Sequence, residues 1–226
     1  KRSSYYSDFT FGVFKDNEIV PIGKAYFGFT DEELNVLVSE AHHRGMRVAC
    51  HARSAAAVKQ AVNNNVDFIG HANYVDDEAL QLLSDKKNSI FVGPAVAWEI
   101  SFLANFKEFG FEEGCLEQQG YAAELEATKK SVRLLKEAGV RVLVGGDYGL
   151  SVTPHGTYAK ELEYFTSYFG FTPGEALQAA TRYGGQAFMP EGGLGTVEAG
   201  QFADLLILRK NPLEDIVVLQ DPMNIP

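Results

Sequence analysis

Three apolar, β-branched-rich runs of strand length end in residues able to ligate a metal. They are Val48-Ala49-Cys50-His51-Ala52, Phe68-Ile69-Gly70-His71-Ala72 and Val142-Leu143-Val144-Gly145-Gly146-Asp147. A run without polar alternation predicts a strand buried on both faces, as in a parallel sheet. A helix-like segment precedes each run, so strands and helices alternate along the chain. In a parallel (β/α) barrel, residues at the carboxyl ends of the strands converge on one rim, where active sites sit. Two histidines and an aspartate placed there can share a divalent cation.

The segments between these runs carry their own punctuation. Residues 1–26 read as a long loop or hairpin, with aromatic residues at Tyr5, Tyr6 and from Phe9 to Phe14, and Glu18–Ile22 as a short edge strand because of Pro21. Thr30 and Glu33 form a capping box ahead of a helix whose apolar face is Leu34, Leu37, Val38 and Ala41, with Gly45 as its stop. Ser54 caps a second helix, and Asp76-Asp77-Glu78 opens a third with acidic residues at its positive end. Ser89–Pro94 is the next strand. Residues 95–120 read as a less regular insertion containing Trp98, Phe102, Phe106, Phe109 and Phe111, expected as a lid or substrate wall. A long amphipathic helix spans about residues 121–138, and further helices are expected at 158–168 and after the Thr172–Glu175 capping box. Residues 195–208 read as a turn-rich hairpin followed by a strand.

At 226 residues the chain is long enough for one sizeable core. A net charge of −10 argues against nucleic-acid binding through a basic surface. Cys50 and Cys115 are the two cysteines, which imply no disulfide framework and make a reducing, cytoplasmic setting the default expectation. No signal-peptide pattern and no membrane-spanning apolar run is read in it. The sequence opens at Lys1 and stops at Pro226 just after a strand-like run, and both ends read as cut from a longer chain.

Neutral imidazole is a good zinc ligand, and a carboxylate can bind the ion while accepting a proton from its water. A lone histidine after a strand is more commonly a packed, hydrogen-bonded residue than a ligand. Two of them with an aspartate, all at strand ends, bring the two readings level. His155 on the loop after Asp147 suits either substrate binding or turn stabilisation. Tyr148 and Arg53 follow expected ligands closely and can face a pocket, Arg53 toward a substrate carboxylate, with a surface ion pair as its alternative. His42 and His43 sit late in a helix, where the helix dipole or simple exposure accounts for them.

The order of these motifs resembles the C-terminal half of the amidohydrolase superfamily, in its imidazolonepropionase- and prolidase-like branch. The resemblance rests on Cys50-His51-Ala52, Gly70-His71-Ala72, Gly145-Gly146-Asp147 and the Gly195–Asp204 segment, GTVEAGQFAD. It implies an α/β fold: a TIM-type (β/α)8 barrel, here about strands five to eight, with the start of a small β-sandwich appendage. Residues 1–193 would form the barrel portion and 194–226 the strands returning to the sandwich. His51 and His71 would match the strand-five and strand-six metal ligands. Asp147 would match the strand-eight aspartate, which touches the metal and shuttles the proton. The family's His-x-His pair is absent from these residues, and Lys1 and Lys15, the lysines nearest its strand-four position, read as surface residues.

The function expected is metal-dependent hydrolysis of an amide, carbamate, urea or ester bond, with zinc as the expected ion. Asp147 is the catalytic residue, His51, His71 and Asp147 the metal ligands, and His155, Tyr148 and Arg53 the substrate-binding set. A mononuclear-metal deaminase of the same superfamily and a catalytically incomplete half-barrel are the alternatives. The expected partners are a small-molecule substrate and either a homo-oligomer or a complementary barrel half, with no nucleic acid and no membrane.

Overall fold

The computed structural model describes residues 29–112, 114 and 120–226, and residues 9–15 and 18–25 by their backbone alone. Lys1, Tyr5, Tyr6, Cys115 and the side chains of Lys15 and of the aromatic residues from Phe9 to Phe14 lie outside the described residues. Two compact units are formed, Lys1–Gly93 with Leu134–Arg141, and Pro94–Arg133 with Val142–Pro226.

The first unit opens with an antiparallel hairpin of β1 (Phe9–Lys15) and β2 (Glu18–Ala25). The strand expected to stop at Ile22 therefore runs further. Pro21 is accommodated opposite Gly12, where the register slips, and a two-stranded ribbon leaves one side of each strand unpaired. Helix α1 (Asp31–His43) starts as its capping box dictates: the Thr30 hydroxyl accepts from Glu33 N–H at 3.2 Å, and Thr30 N–H donates to the Glu33 carboxylate at 2.8 Å. It buries Leu34 and Val38 and ends ahead of Gly45 at φ 70°.

Strands β3 (Ala49–Ala52) and β4 (Phe68–His71) pair in parallel, and β4 pairs in parallel with β5 (Phe91–Gly93). The sheet order is β3-β4-β5-β6, β6 being Arg141–Val142. Helices α2 (Ala55–Asn63) and α3 (Asp77–Asp85) form the connections, each capped by the side chain expected, Ser54 on Ala57 N–H and Asp76 on Ala79 N–H. The crossovers are short, and β4 and β5 are buried as expected of a parallel sheet. Strand β3 departs from the expectation. It ends the sheet order and alternates, with Cys50 and Ala52 buried while Ala49 and His51 are exposed. Arg141 stacks its guanidinium 3.8 Å from the Phe91 ring centre and donates from Nε to the Lys87 carbonyl at 3.1 Å.

Two further expectations are corrected in the second unit. The insertion after Pro94 contains a regular helix, α4 (Ala97–Asn105), which is apolar around most of its circumference and buries Ala97, Ile100 and Phe102 on different sides. The run toward Asp147 is ladder-paired over Arg141–Val142 alone, and residues 143–147 are irregular chain, since strand structure exists only where a neighbouring strand supplies partners.

Helix α5 (Tyr121–Glu137), α6 (Lys160–Phe169) and α7 (Pro173–Gln178) form where expected, the last with the full Thr172–Glu175 capping box. A π-helical turn, Ala179–Tyr183, joins α7 to α8 (Gly184–Phe188). Gly195, at φ 87°, lies so close to the Thr181 backbone that no side chain would fit there. Residues 201–208 carry no ladder pairing in place of the expected strand, and Leu205, Leu206 and Ile207 remain 63%, 57% and 73% exposed. Two 3₁₀ turns, Ile216–Gln220 and Pro222–Asn224, follow. Among the described residues no helix is long and apolar enough to cross a membrane.

Candidate active site

Parallel pairing sets His51 opposite Gly70 and Ala52 opposite His71. Side chains of a regular strand alternate between faces, so His71 would share the face of Ala52 and point away from His51. The backbone prevents this. His71 has φ 79° and Ala72 φ 51°, both left-handed, a conformation that L residues adopt at a cost of about 1–3 kcal/mol each. Ladder-like bonds beyond the strand hold the turn, from Ala72 N–H to the Ala52 carbonyl at 2.9 Å and from Tyr74 N–H to the Arg53 carbonyl at 3.0 Å.

The result is that His51 Nδ1 and His71 Nε2 stand 2.8 Å apart, with ring centres at 4.9 Å and planes inclined by 29°. A Cβ on Gly70 would lie 3.7 Å from His51 Nδ1, an ordinary contact, so the pairing of the rings does not itself demand a glycine there. His71 is buried, whereas His51 as a residue is exposed. The neighbouring Cys50 is buried, and desolvation pushes its thiol up to about 12, which keeps it protonated and chemically quiet.

Whether this pair fits a metal is a question of geometry and donor chemistry. Two imidazole nitrogens on one tetrahedral zinc lie about 3.3 Å apart, so a separation of 2.8 Å needs only a small opening of the pair. One Nδ1 and one Nε2 converge, which suits neutral imidazole ligation. The residues fit. Among the described residues, no three His, Cys, Asp or Glu side chains are gathered tightly enough to hold an ion as they stand.

Asp147 belongs to the second unit, in a loop that is closely tied. Its carbonyl accepts from the Thr153 hydroxyl, Tyr148 N–H donates to the Gly146 carbonyl at 3.0 Å, and Gly149 N–H to the Thr153 carbonyl at 2.9 Å. The Tyr148 ring packs edge-on to Tyr158 with centres at 4.7 Å. Burial, with the charge of Glu161 second, pushes the Tyr148 phenol above its ordinary range. His155 is exposed and pairs through Nδ1 with the Tyr158 hydroxyl at 2.7 Å. Its Nε2 covers Gly149, which has φ 95°. His155 thus braces the loop that follows Asp147. Arg53 is half-buried in the first unit, directly after β3.

Sequence reasoning passed over Glu161. It is fully buried, and desolvation raises its carboxyl to about 7, against the opposing pull of the Val96 and Ala97 backbone N–H groups. A signal was present, because Glu161, Phe165 and Phe169 recur every four residues on the buried face of α6. His42, expected as a helix-end or simply exposed residue, meets the Asp67 carboxylate through its Nε2 at 2.8 Å. The aromatic residues of the insertion, by contrast, do pack locally: Phe102 meets Phe111 and Tyr121 edge-on, and Trp98 meets Tyr121.

The model of the amidohydrolase family matches residues 19–226. This chain belongs to that family. Among its relatives, the ochratoxinase of Aspergillus niger is 33% identical over 196 residues, which are 86% of this amidohydrolase chain and 39% of that protein. The crystal structure of the A. niger ochratoxinase superposes with a TM-score of 0.77 at 28% identity, over 88% of this chain and 44% of the other. A Xaa-Pro dipeptidase with bound methionine in its active site superposes with a TM-score of 0.74 at 33% identity, over 86% and 46% of the two chains. The amidohydrolase chain thus spans less than half the length of these relatives, and they place it beside prolidase-like members of the family.

Proposed function

We propose that this chain carries the proton shuttle and part of the metal-binding set of a hydrolase that cleaves an amide C–N bond, with carbamate, urea and ester bonds as chemical neighbours. The observation that carries the reading is the approach of His51 Nδ1 to His71 Nε2 at 2.8 Å on adjacent parallel strands, in a member of the amidohydrolase family. The architecture proposed is the C-terminal portion of a (β/α)8 barrel over residues 1–193, with 194–226 leading to a small β-sandwich.

His51, His71 and Asp147 would hold a divalent cation, zinc by the chemistry of the donors. When bound, such an ion acidifies a water molecule and polarises the scissile carbonyl. Asp147 takes the proton on its carboxylate and returns it to the leaving nitrogen, so that one group serves as base and then as acid. The Thr153 hydroxyl on its carbonyl holds the backbone still while the carboxylate does this. Arg53 is assigned to a substrate carboxylate through its planar guanidinium, and Tyr148 and His155 complete the substrate-facing set, His155 through the loop it braces.

The relatives' names, an ochratoxinase and a Xaa-Pro dipeptidase, support a substrate cleaved at an amide C–N bond. A homo-oligomer or a complementary barrel half is the protein partner proposed, and nucleic acid and membrane are not. A cytoplasmic, reducing setting suits the buried thiol of Cys50. The test is hydrolysis of a panel of dipeptides and N-acyl amino acids by the zinc-loaded full-length protein. Release of equal amounts of amine and carboxylate, lost in Asp147→Asn, is expected. No cleavage of any member, or release of ammonia from cyclic amidines instead, would overturn the assignment.

A further inference from the structure

Glu161 lies completely buried within the second unit. An isolated carboxylate loses several kcal/mol of hydration on such burial, so something must make the position worthwhile. Two neighbours stand against it. The first is the start of α4: Val96 provides no side-chain cap, and the Val96 and Ala97 N–H groups favour the charged form of Glu161. A carboxylate from another helix therefore stands at the positive end of α4.

The second neighbour is the backbone that carries Asp147. A Cβ on Gly146 would lie 3.1 and 3.2 Å from the two Glu161 oxygens and 3.1 Å from Tyr148 Cε2. Neither oxygen completes a hydrogen bond of ordinary geometry. Glu161 is thus packed against the residues on both sides of Asp147. Gly146 is the residue that permits that approach.

From this juxtaposition we infer that Glu161 is a positioning residue for Asp147: it clamps the Gly146–Tyr148 turn onto the start of α4. The turn then holds the carboxylate of Asp147 at one place for proton exchange. The inference rests on the reading of Asp147 as proton shuttle given above.

The experiment uses the full-length protein with Glu161→Ala and the isosteric Glu161→Gln, and two readouts. Hydrogen exchange of residues 146–153 is expected to quicken at least about tenfold in Glu161→Ala, with residues 55–63 unchanged. Turnover is expected to fall about 10–100-fold in kcat with KM within about twofold, the effect that loss of a supporting partner typically produces. Glu161→Gln keeps the packing and recovers part of both, and it carries the same readouts if Glu161→Ala does not fold.

An unchanged exchange rate at 146–153 would overturn the clamp. A loosened turn with unaltered kcat would overturn the positioning role. Neither result touches the shuttle assignment, which Asp147→Asn decides separately.

Discussion

His51 and His71 meet at 2.8 Å although neither is the other's ladder partner. The meeting depends on the left-handed backbone of His71, which turns its ring back toward the face of His51. A regular end to β4 would have separated the two imidazoles by the thickness of the sheet. Backbone strain at this point is therefore part of how the pair is assembled.

Asp147→Asn is expected to lower kcat about 10²–10⁴-fold, the usual worth of a general acid–base group, with KM little changed. The amide cannot accept the proton, yet its size leaves the loop intact. Steady-state kinetics on a cleaved dipeptide would check this, with bound metal measured in parallel. Unaltered kcat would remove Asp147 from proton transfer.

Gly149→Ala is expected to destabilise the protein by about 1–3 kcal/mol, because the residue sits at φ 95° and its Cβ would come 2.9 Å from His155 Nε2. Equilibrium unfolding in urea measures the loss. In the background of His155→Ala the steric part disappears and only the backbone strain remains, so the two changes together should cost less than their sum.

Asp76→Asn is expected to flatten the acid limb of the stability curve. The Ala79 N–H and then Lys59 hold the Asp76 carboxyl below its ordinary 3.8. A depressed folded-state pKa contributes stability that is present above the unfolded value and is lost as pH falls through the folded one. Asparagine caps the helix without titrating. Thermal unfolding between pH 5 and about 2 should therefore show a shallower decline in the variant than in the parent.

Much of the fold was legible because it is written in local chemistry. Thr30, Ser54, Asp76 and Thr172 each cap a helix through their own side chains, and Gly45, Gly139 and Gly170 sit at positive φ where helices stop. The approach of His51 to His71 was legible only in part. Their place at strand ends could be read from hydrophobic runs, but the φ of 79° that brings the rings together has no signature in a histidine. Glu161 was missed because a carboxylate on an apolar stripe reads as an interruption of it, unless the N-terminus of α4 and the close approach at Gly146 are known to await it. The ladder of β6 stops at Val142 because pairing depends on neighbours distant in sequence, which an apolar run toward Asp147 does not reveal.

The most direct measurement is the zinc content of the full-length protein and of its His51→Ala and His71→Ala variants, by elemental analysis after dialysis against metal-free buffer. Zinc retained by the parent and lost from both variants, with their helical content unchanged, is the expected result. Zinc retained in full by both variants, or absent from the parent after reconstitution, would contradict the assignment of this pair as metal ligands.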